Sequence, residues 1–210
     1  MGYKSSTTIL PARLVENRLE AGADEVGRGC IAGPVVAAAV ILPPNFSVPG
    51  LTDSKKLSEA QRITFKQLIE QKALAYAVAF VHPHTIDQIN ILQASILAMN
   101  KAIEALNPSP EFLLVDGNKF SSHLKIPYQC IVKGDAKIGS IAAASILAKV
   151  ARDNYMKQMH QTYPEYGWAT NVGYPTPQHL EALQKKGSTP LHRKTFKPCL
   201  LQPLGLDFDA

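Results

Sequence analysis

The stretch from Ala21 to Leu42 limits what this chain can fold into more than any other. Between Pro34 and Pro43 it reads Val35-Val36-Ala37-Ala38-Ala39-Val40-Ile41-Leu42, without a single polar residue. The run is far short of the ~20 residues that span a bilayer, so it reads as a buried strand, closed by Pro43-Pro44, inside a sheet. Just ahead of it, Ala21-Gly22-Ala23 leads into Asp24-Glu25, followed by Val26-Gly27-Arg28-Gly29 and Cys30-Ile31-Ala32-Gly33. Neighbouring strand residues face opposite ways, so the two carboxylates can share one site only if the chain turns at once. Gly27 and Gly29 permit that turn. Acidic oxygens on rigid backbone beside a bare glycine loop suit a hard cation that a charged ligand can approach.

The remaining elements alternate between strand and helix. A short helix is expected through Leu14 and Leu19, then a strand entering Asp24-Glu25. Ser58 and Gln61 form a capping-box pattern that opens a helix over 59–71. Residues 73–81 alternate as a strand with Tyr76, Val78 and Phe80 on one face. An apolar stripe at Ile89, Leu92, Ile96, Met99 and Ile103 marks a helix over 85–107. Short buried strands over 112–115 and 128–132 deliver Asp116-Gly117-Asn118 and Lys133-Gly134-Asp135. A helix over 138–159 begins with Gly139, Ser140, Ala142, Ala143, Ala144 and Ser145, small enough to lie close on a sheet. Residues 163–174 read as loop and 175–186 as a last helix closed by Gly187. The order β-β-α-β-α-β-β-α gives an α/β domain with a mixed sheet and a C-terminal helical extension.

Three strands thus end in acids. Ligands of α/β sheets gather where loops leave strand ends, so Asp24, Glu25, Asp116 and Asp135 would converge if those ends are neighbours. Clustered carboxylates raise one another's pKa and are unfavourable without cations. Two divalent ions about 3.5–4 Å apart would relieve the repulsion, activate a water and stabilise a phosphodiester's leaving oxygen. With no Cys or His beside these acids, Mg²⁺ or Mn²⁺ suits them better than zinc. Taken singly, Asp116-Gly117 also fits a turn, Asp135 a helix cap, and Asp153 a surface ion pair. A dinucleotide fingerprint competes for the same glycines, since 27–32 fits G-x-G-x-x-G/A and Asp53 follows at a suitable distance. That motif needs a helix directly afterwards; here Gly33-Pro34 and a β-type run follow, and the preceding acids would repel a pyrophosphate.

Charge points to a polyanion. The chain carries a net +5, and Lys185, Lys186, Arg193, Lys194 and Lys197 fall in a segment without an acid. A plain solvated basic surface is the alternative, and with it a nucleic-acid binder without catalysis. Cys30, Cys130 and Cys199 are scattered without CxxC spacing, as in a reducing compartment. The N-terminus lacks the form of a secretory signal and no segment spans a membrane, so a cytoplasmic protein is expected.

At these residues the chain resembles the bacterial ribonuclease HII family, a type 2 ribonuclease H, over about residues 20–198. The resemblance rests on 24–29 (Asp-Glu-Val-Gly-Arg-Gly), 53–57 (Asp-Ser-Lys-Lys-Leu), 115–118 (Val-Asp-Gly-Asn), 133–135 (Lys-Gly-Asp), 142–153, 173–176 (Gly-Tyr-Pro-Thr) and 192–196 (His-Arg-Lys-Thr-Phe). It implies a ribonuclease H-like fold with a five-stranded mixed sheet. It implies an endonuclease that cuts the RNA strand of RNA–DNA hybrids and cuts 5′ of ribonucleotides embedded in duplex DNA, leaving 5′-phosphate and 3′-hydroxyl ends. Asp24, Glu25, Asp116 and Asp135 would be catalytic metal ligands for Mg²⁺ or Mn²⁺. The backbone of Gly27, Arg28 and Gly29 would read the ribose 2′-hydroxyl, the group that separates RNA from DNA. Tyr174 would pack on the sugar at the junction, and Lys55, Lys56, Arg193 and Lys194 would contact phosphates. The expected division is a lead-in over 1–19, a catalytic domain over 20–162, a substrate-binding extension over 163–200 and an unstructured tail over 201–210, in a monomer.

The chain departs from the family pattern at Asn171-Val172, where the usual segment reads His-Lys. Lys185, Lys186 or the pair Arg193-Lys194 are the candidates to compensate. The tail over 202–208 (Gln-Pro-Leu-Gly-Leu-Asp-Phe) loosely resembles peptides that hold a sliding clamp, with the spacing one residue off.

Overall fold

A computed structural model describes residues 9–15 and 17–200. The sliding-clamp resemblance over 202–208 therefore lies outside the described residues. Five strands, β1 (Glu20–Val26), β2 (Val35–Ile41), β3 (Ala75–Val81), β4 (Phe112–Asp116) and β5 (Tyr128–Ile131), form one mixed sheet in the order β3-β2-β1-β4-β5. The β1–β2 and β2–β3 pairs are antiparallel, whereas β1, β4 and β5 run parallel.

The apolar run is the sheet's hydrophobic centre, and every residue of β2 is buried. Val35, Ala37, Ala39 and Ile41 face a core shared with helix α2 (Pro83–Glu104). Val36, Ala38 and Val40 face a second core against α3 (Gly139–Thr162) and α1 (Glu59–Lys72). The small first turns of α3 let it sit almost on β1: a Cβ at Gly22 would lie 2.3 Å from the backbone carbon of Ser140. The capping box forms as the sequence suggests, with Ser58 Oγ accepting from Gln61 N–H and Gln61 Oε1 from Ser58 N–H.

Several boundaries differ from the sequence reading for local reasons. Among the described residues no helix forms through Leu14 and Leu19; instead Glu20 accepts from the Leu14 N–H and pairs with Arg18 at 2.6 Å, pinning the lead-in to the start of β1. Helix α2 is broken at Asn90, whose φ of 65° is non-helical and whose Oδ1 caps the N–H groups of Leu92 and Gln93. The stretch read as loop over 163–174 contains a 3₁₀ turn and one turn of helix, α4 (Trp168–Asn171). Trp168, Tyr166 and Val172 pack there with Ala32 and Met156. Helix α5 (Pro177–Lys186), capped by Thr176, and the short α6 (Lys197–Leu200) complete the described chain. Residues 163–200 thus fold back onto the turn that follows β1. Among the described residues no helix is long and apolar enough to cross a membrane.

Candidate active site

Parallel pairing places the acids together. Ala23 of β1 is level with Val115 of β4, so Asp24 and Asp116 follow at the same edge of the sheet. Asp116 is in turn level with Ile131 of β5, after which a 3₁₀ turn over 134–136 returns Asp135 to that edge. A cleft of about 270 Å³ is lined by Asp24, Glu25, Asp116 and Asp135. The turn over 27–29, Lys55 and Tyr174 form the rest of its wall.

The carboxylates are placed at an electrostatic cost. Burial raises the Asp24 pKa well above the usual carboxylate range, with Glu25 and Asp116 adding repulsion. The Ser145 hydroxyl and the Glu25 N–H, 2.7 Å from Asp24 Oδ1, offset part of this. Glu25 is also raised by burial, against the pull of Arg28, whose guanidinium lies 3.1 Å away. Asp135 is pushed up to about 6, by burial first and then by Asp53 and Asp116. Asp53, at hydrogen-bonding reach of Asp135, is a fifth acid at this edge; its Oδ1 also accepts from the Lys55 N–H.

The donor set fits a hard divalent ion. Every candidate ligand in the cleft is a carboxylate oxygen, and buried like charges gain from a cation. Among the described residues no three His, Cys, Asp or Glu side chains are already drawn into a ligand cluster. Glu25 is held by Arg28, and Asp116 Oδ1 accepts from the Gly134 N–H at 2.7 Å. An ion would therefore compete with these partners and pull the carboxylates inward.

The other sequence-predicted contacts divide. Lys55 is exposed and lines the cleft; Lys56, exposed on the same 3₁₀ turn, is not part of its wall. Tyr174 is 38% exposed, stands 3.8 Å from where a Gly29 Cβ would be, and hydrogen-bonds the Cys30 thiol. Lys194 is exposed, its N–H held by Asp87. Arg193 corrects the expectation of a phosphate contact: it is fully buried, and its guanidinium donates to the carbonyls of Gly33, Arg28 and Gly27. Asp153 is ion-paired, to Lys149 at 2.7 Å and Arg62 at 3.9 Å, in a mostly buried setting. Asn171 braces its own loop, donating to the Tyr166 carbonyl and accepting from the Gly173 N–H, while Lys185 pairs with Glu181 on α5.

Sequence reasoning gave Ser145, Asp53 and Cys30 no part in the acidic cleft. Ser145 gave no signal beyond the small-residue face of α3, and its link to Ser54 Oγ at 3.0 Å spans remote segments. Asp53 stood in a recognisable motif, but only folding shows it beside Asp135.

A five-stranded mixed sheet in this strand order, with acids at the ends of its adjacent parallel strands, is the ribonuclease H fold. Solved structures agree: ribonuclease H2 from Pyrococcus horikoshii matches with TM-score 0.74 at 26% identity, over 86% of this chain and 95% of that one. The ribonuclease HII in the PCNA:RNase HII complex from Archaeoglobus fulgidus matches with TM-score 0.72 at 26% identity, over 90% and 98%. The ribonuclease HII of Parabacteroides distasonis is 56% identical over 179 residues, 85% of this chain and 90% of that protein. The family model for ribonuclease HII matches residues 21–199. The chain belongs to the ribonuclease HII family. It is a ribonuclease H type endonuclease, and its family acts on RNA–DNA hybrids with divalent metal.

Proposed function

We propose that this endonuclease also cuts 5′ of single ribonucleotides embedded in duplex DNA, by a two-metal hydrolysis leaving 5′-phosphate and 3′-hydroxyl ends. The observation that carries the reading is the convergence of Asp24, Glu25, Asp116 and Asp135 in one cleft beside the glycine turn. Mg²⁺ or Mn²⁺ held by these four would supply an activated water and stabilise charge on the leaving oxygen. The chain's own residues do the positioning. The sheet edge fixes Asp24 and Asp116 side by side, and the Gly134 N–H orients Asp116. The turn over 27–29 presents backbone amides to a ribose 2′-hydroxyl, and Tyr174 beside Gly29 offers a ring face to the adjoining sugar. Lys55 meets a phosphate at the cleft wall, with Lys56 and Lys194 as outlying cationic contacts.

The archaeal relative solved with PCNA supports a sliding clamp as a partner for this chain, with 202–208 as the segment that would carry the contact. The catalytic reading is tested by Asp24→Asn and Asp116→Asn. Both are expected to keep the fold by circular dichroism and lose cleavage of an RNA–DNA hybrid by at least about a hundredfold; near-normal rates in either would overturn it.

A further inference from the structure

Arg152 and Arg193 are both fully buried, and among the described residues neither has a carboxylate within ion-pairing distance. A buried cation without a counter-ion is costly unless its donors are saturated. Here every guanidinium nitrogen donates to a backbone carbonyl. Arg152 donates to the carbonyls of Pro34 (2.9 Å), Ala32 (3.0 Å) and Val172 (2.7 Å). Arg193 donates to those of Gly33 (3.0 Å), Arg28 (3.0 Å) and Gly27 (2.7 Å). Five of these six carbonyls belong to residues 27–34, the turn that leaves β1 and forms one wall of the acidic cleft.

The two side chains come from distant parts of the chain, the middle of α3 and the segment before α6, and converge on one turn. The Arg152 guanidinium lies directly against Gly27: a Cβ there would be 2.2 Å from Arg152 Nε, and Gly27 has φ 94°. Arg193 stacks toward Phe196, 5.1 Å from the ring centroid. With the carbonyls of Gly27 and Arg28 held by Arg193, the N–H groups of Arg28 and Gly29, on the opposite side of the same trans peptide planes, are directed away from the arginine. Among the described residues the N–H groups of 27, 28 and 29 have no hydrogen-bond acceptor within the protein. The Val172 carbonyl ties the segment carrying Tyr174 to the same cage.

We propose that Arg152 and Arg193 are positioning residues for ribose recognition: two caged guanidinium groups hold the carbonyls of the 27–34 turn inward so that its free amides face the substrate sugar. The inference rests on the reading that this turn contacts the 2′-hydroxyl. A planar guanidinium spans three carbonyls at fixed angles, and a lysine ammonium in the same place keeps the charge but not that fan.

The test uses full-length protein with Arg152→Lys and Arg193→Lys. Dissociation constants are measured by fluorescence anisotropy, with Ca²⁺ replacing Mg²⁺ to suppress cleavage. The ligands are a DNA duplex bearing one ribonucleotide and the same duplex all-deoxy. Each variant is melted first, and binding is measured below its transition. The wild type should prefer the ribonucleotide duplex. Each lysine variant should lose about tenfold of that preference, the equivalent of one amide-to-hydroxyl hydrogen bond, with all-deoxy binding moved less than about threefold. Retained preference would overturn the proposal, as would equal weakening on both duplexes. Lysine variants unfolded at the assay temperature would overturn it too, because the cage would then support the whole fold rather than the turn. A wild type without preference would instead sink the reading of the turn as a ribose reader.

Discussion

Replacing Asp135 by asparagine should make the metal-free protein more stable while disabling it. Asp135 is 9% exposed at the edge of the cleft, and burial together with Asp53 and Asp116 raises its pKa to about 6 from 3.8. At about 1.36 kcal/mol per unit, that displacement corresponds to about 3 kcal/mol of penalty on the ionised form. Solvent reaching the open side of the cleft screens part of it, leaving ~1–2 kcal/mol. The folded-state pKa is raised, so the native protein holds this proton more tightly than the unfolded chain does. The associated stability is fully present below about pH 4 and is lost as pH rises through about 6. A neutral carboxamide in the same place escapes the loss. In EDTA at about pH 7.5, Asp135→Asn should melt roughly 3–6 °C above wild type, and the gap should close toward pH 4. Mn²⁺ should then raise the wild-type melting temperature by more than that of the variant, since the ion relieves the same repulsion. Differential scanning fluorimetry across pH, with and without Mn²⁺, reads all of this. A variant no more stable than wild type in EDTA, with a gap independent of pH, would refute the claim that Asp135 sits in a repulsive carboxylate cluster.

Two further predictions concern the frame. Gly22→Ala would drive a Cβ to 2.3 Å from the Ser140 backbone and force α3 off β1; the expected loss is roughly 3 kcal/mol or more, read by urea denaturation, and an unchanged midpoint would contradict the packing. His192 accepts from the Thr189 N–H through Nδ1 and contacts His179 Nε2 at 3.1 Å, and burial lowers its pKa to about 4. Because the native state keeps it neutral, its contribution of roughly 3 kcal/mol is complete above pH 6.5 and is lost as pH falls toward 4. Nitrogen chemical shifts of the imidazole should report one neutral tautomer down to about pH 5; a midpoint near 6.5 would count against the buried pair.

Much of the site was legible because it depends on local rules. Strand alternation and the glycine turn marked Asp24 and Glu25, and short strands ending in acids marked Asp116 and Asp135. The Ser58–Gln61 cap, a four-residue device, was readable for the same reason. Arg193 shows what was not. Within a basic run it looks like a surface cation, and only the carbonyls of residues some 160 positions earlier make its burial tolerable. Asn90 interrupts an otherwise periodic stripe by capping with its own side chain, which periodicity does not register. The single turn of α4 is too short for a pattern and exists because Trp168 and Tyr166 pack over His179 and His192.

The most direct measurement of the central claim takes a DNA duplex containing one ribonucleotide, incubates it with the wild-type protein in Mg²⁺, Mn²⁺ or EDTA, and sizes the products on both sides of the cut. The metal-bound carboxylate cleft predicts a single incision 5′ of the ribonucleotide in either metal, with a 3′-hydroxyl on the upstream fragment, and none in EDTA. Incision that persists in EDTA, or that falls on the 3′ side of the ribonucleotide, would contradict it.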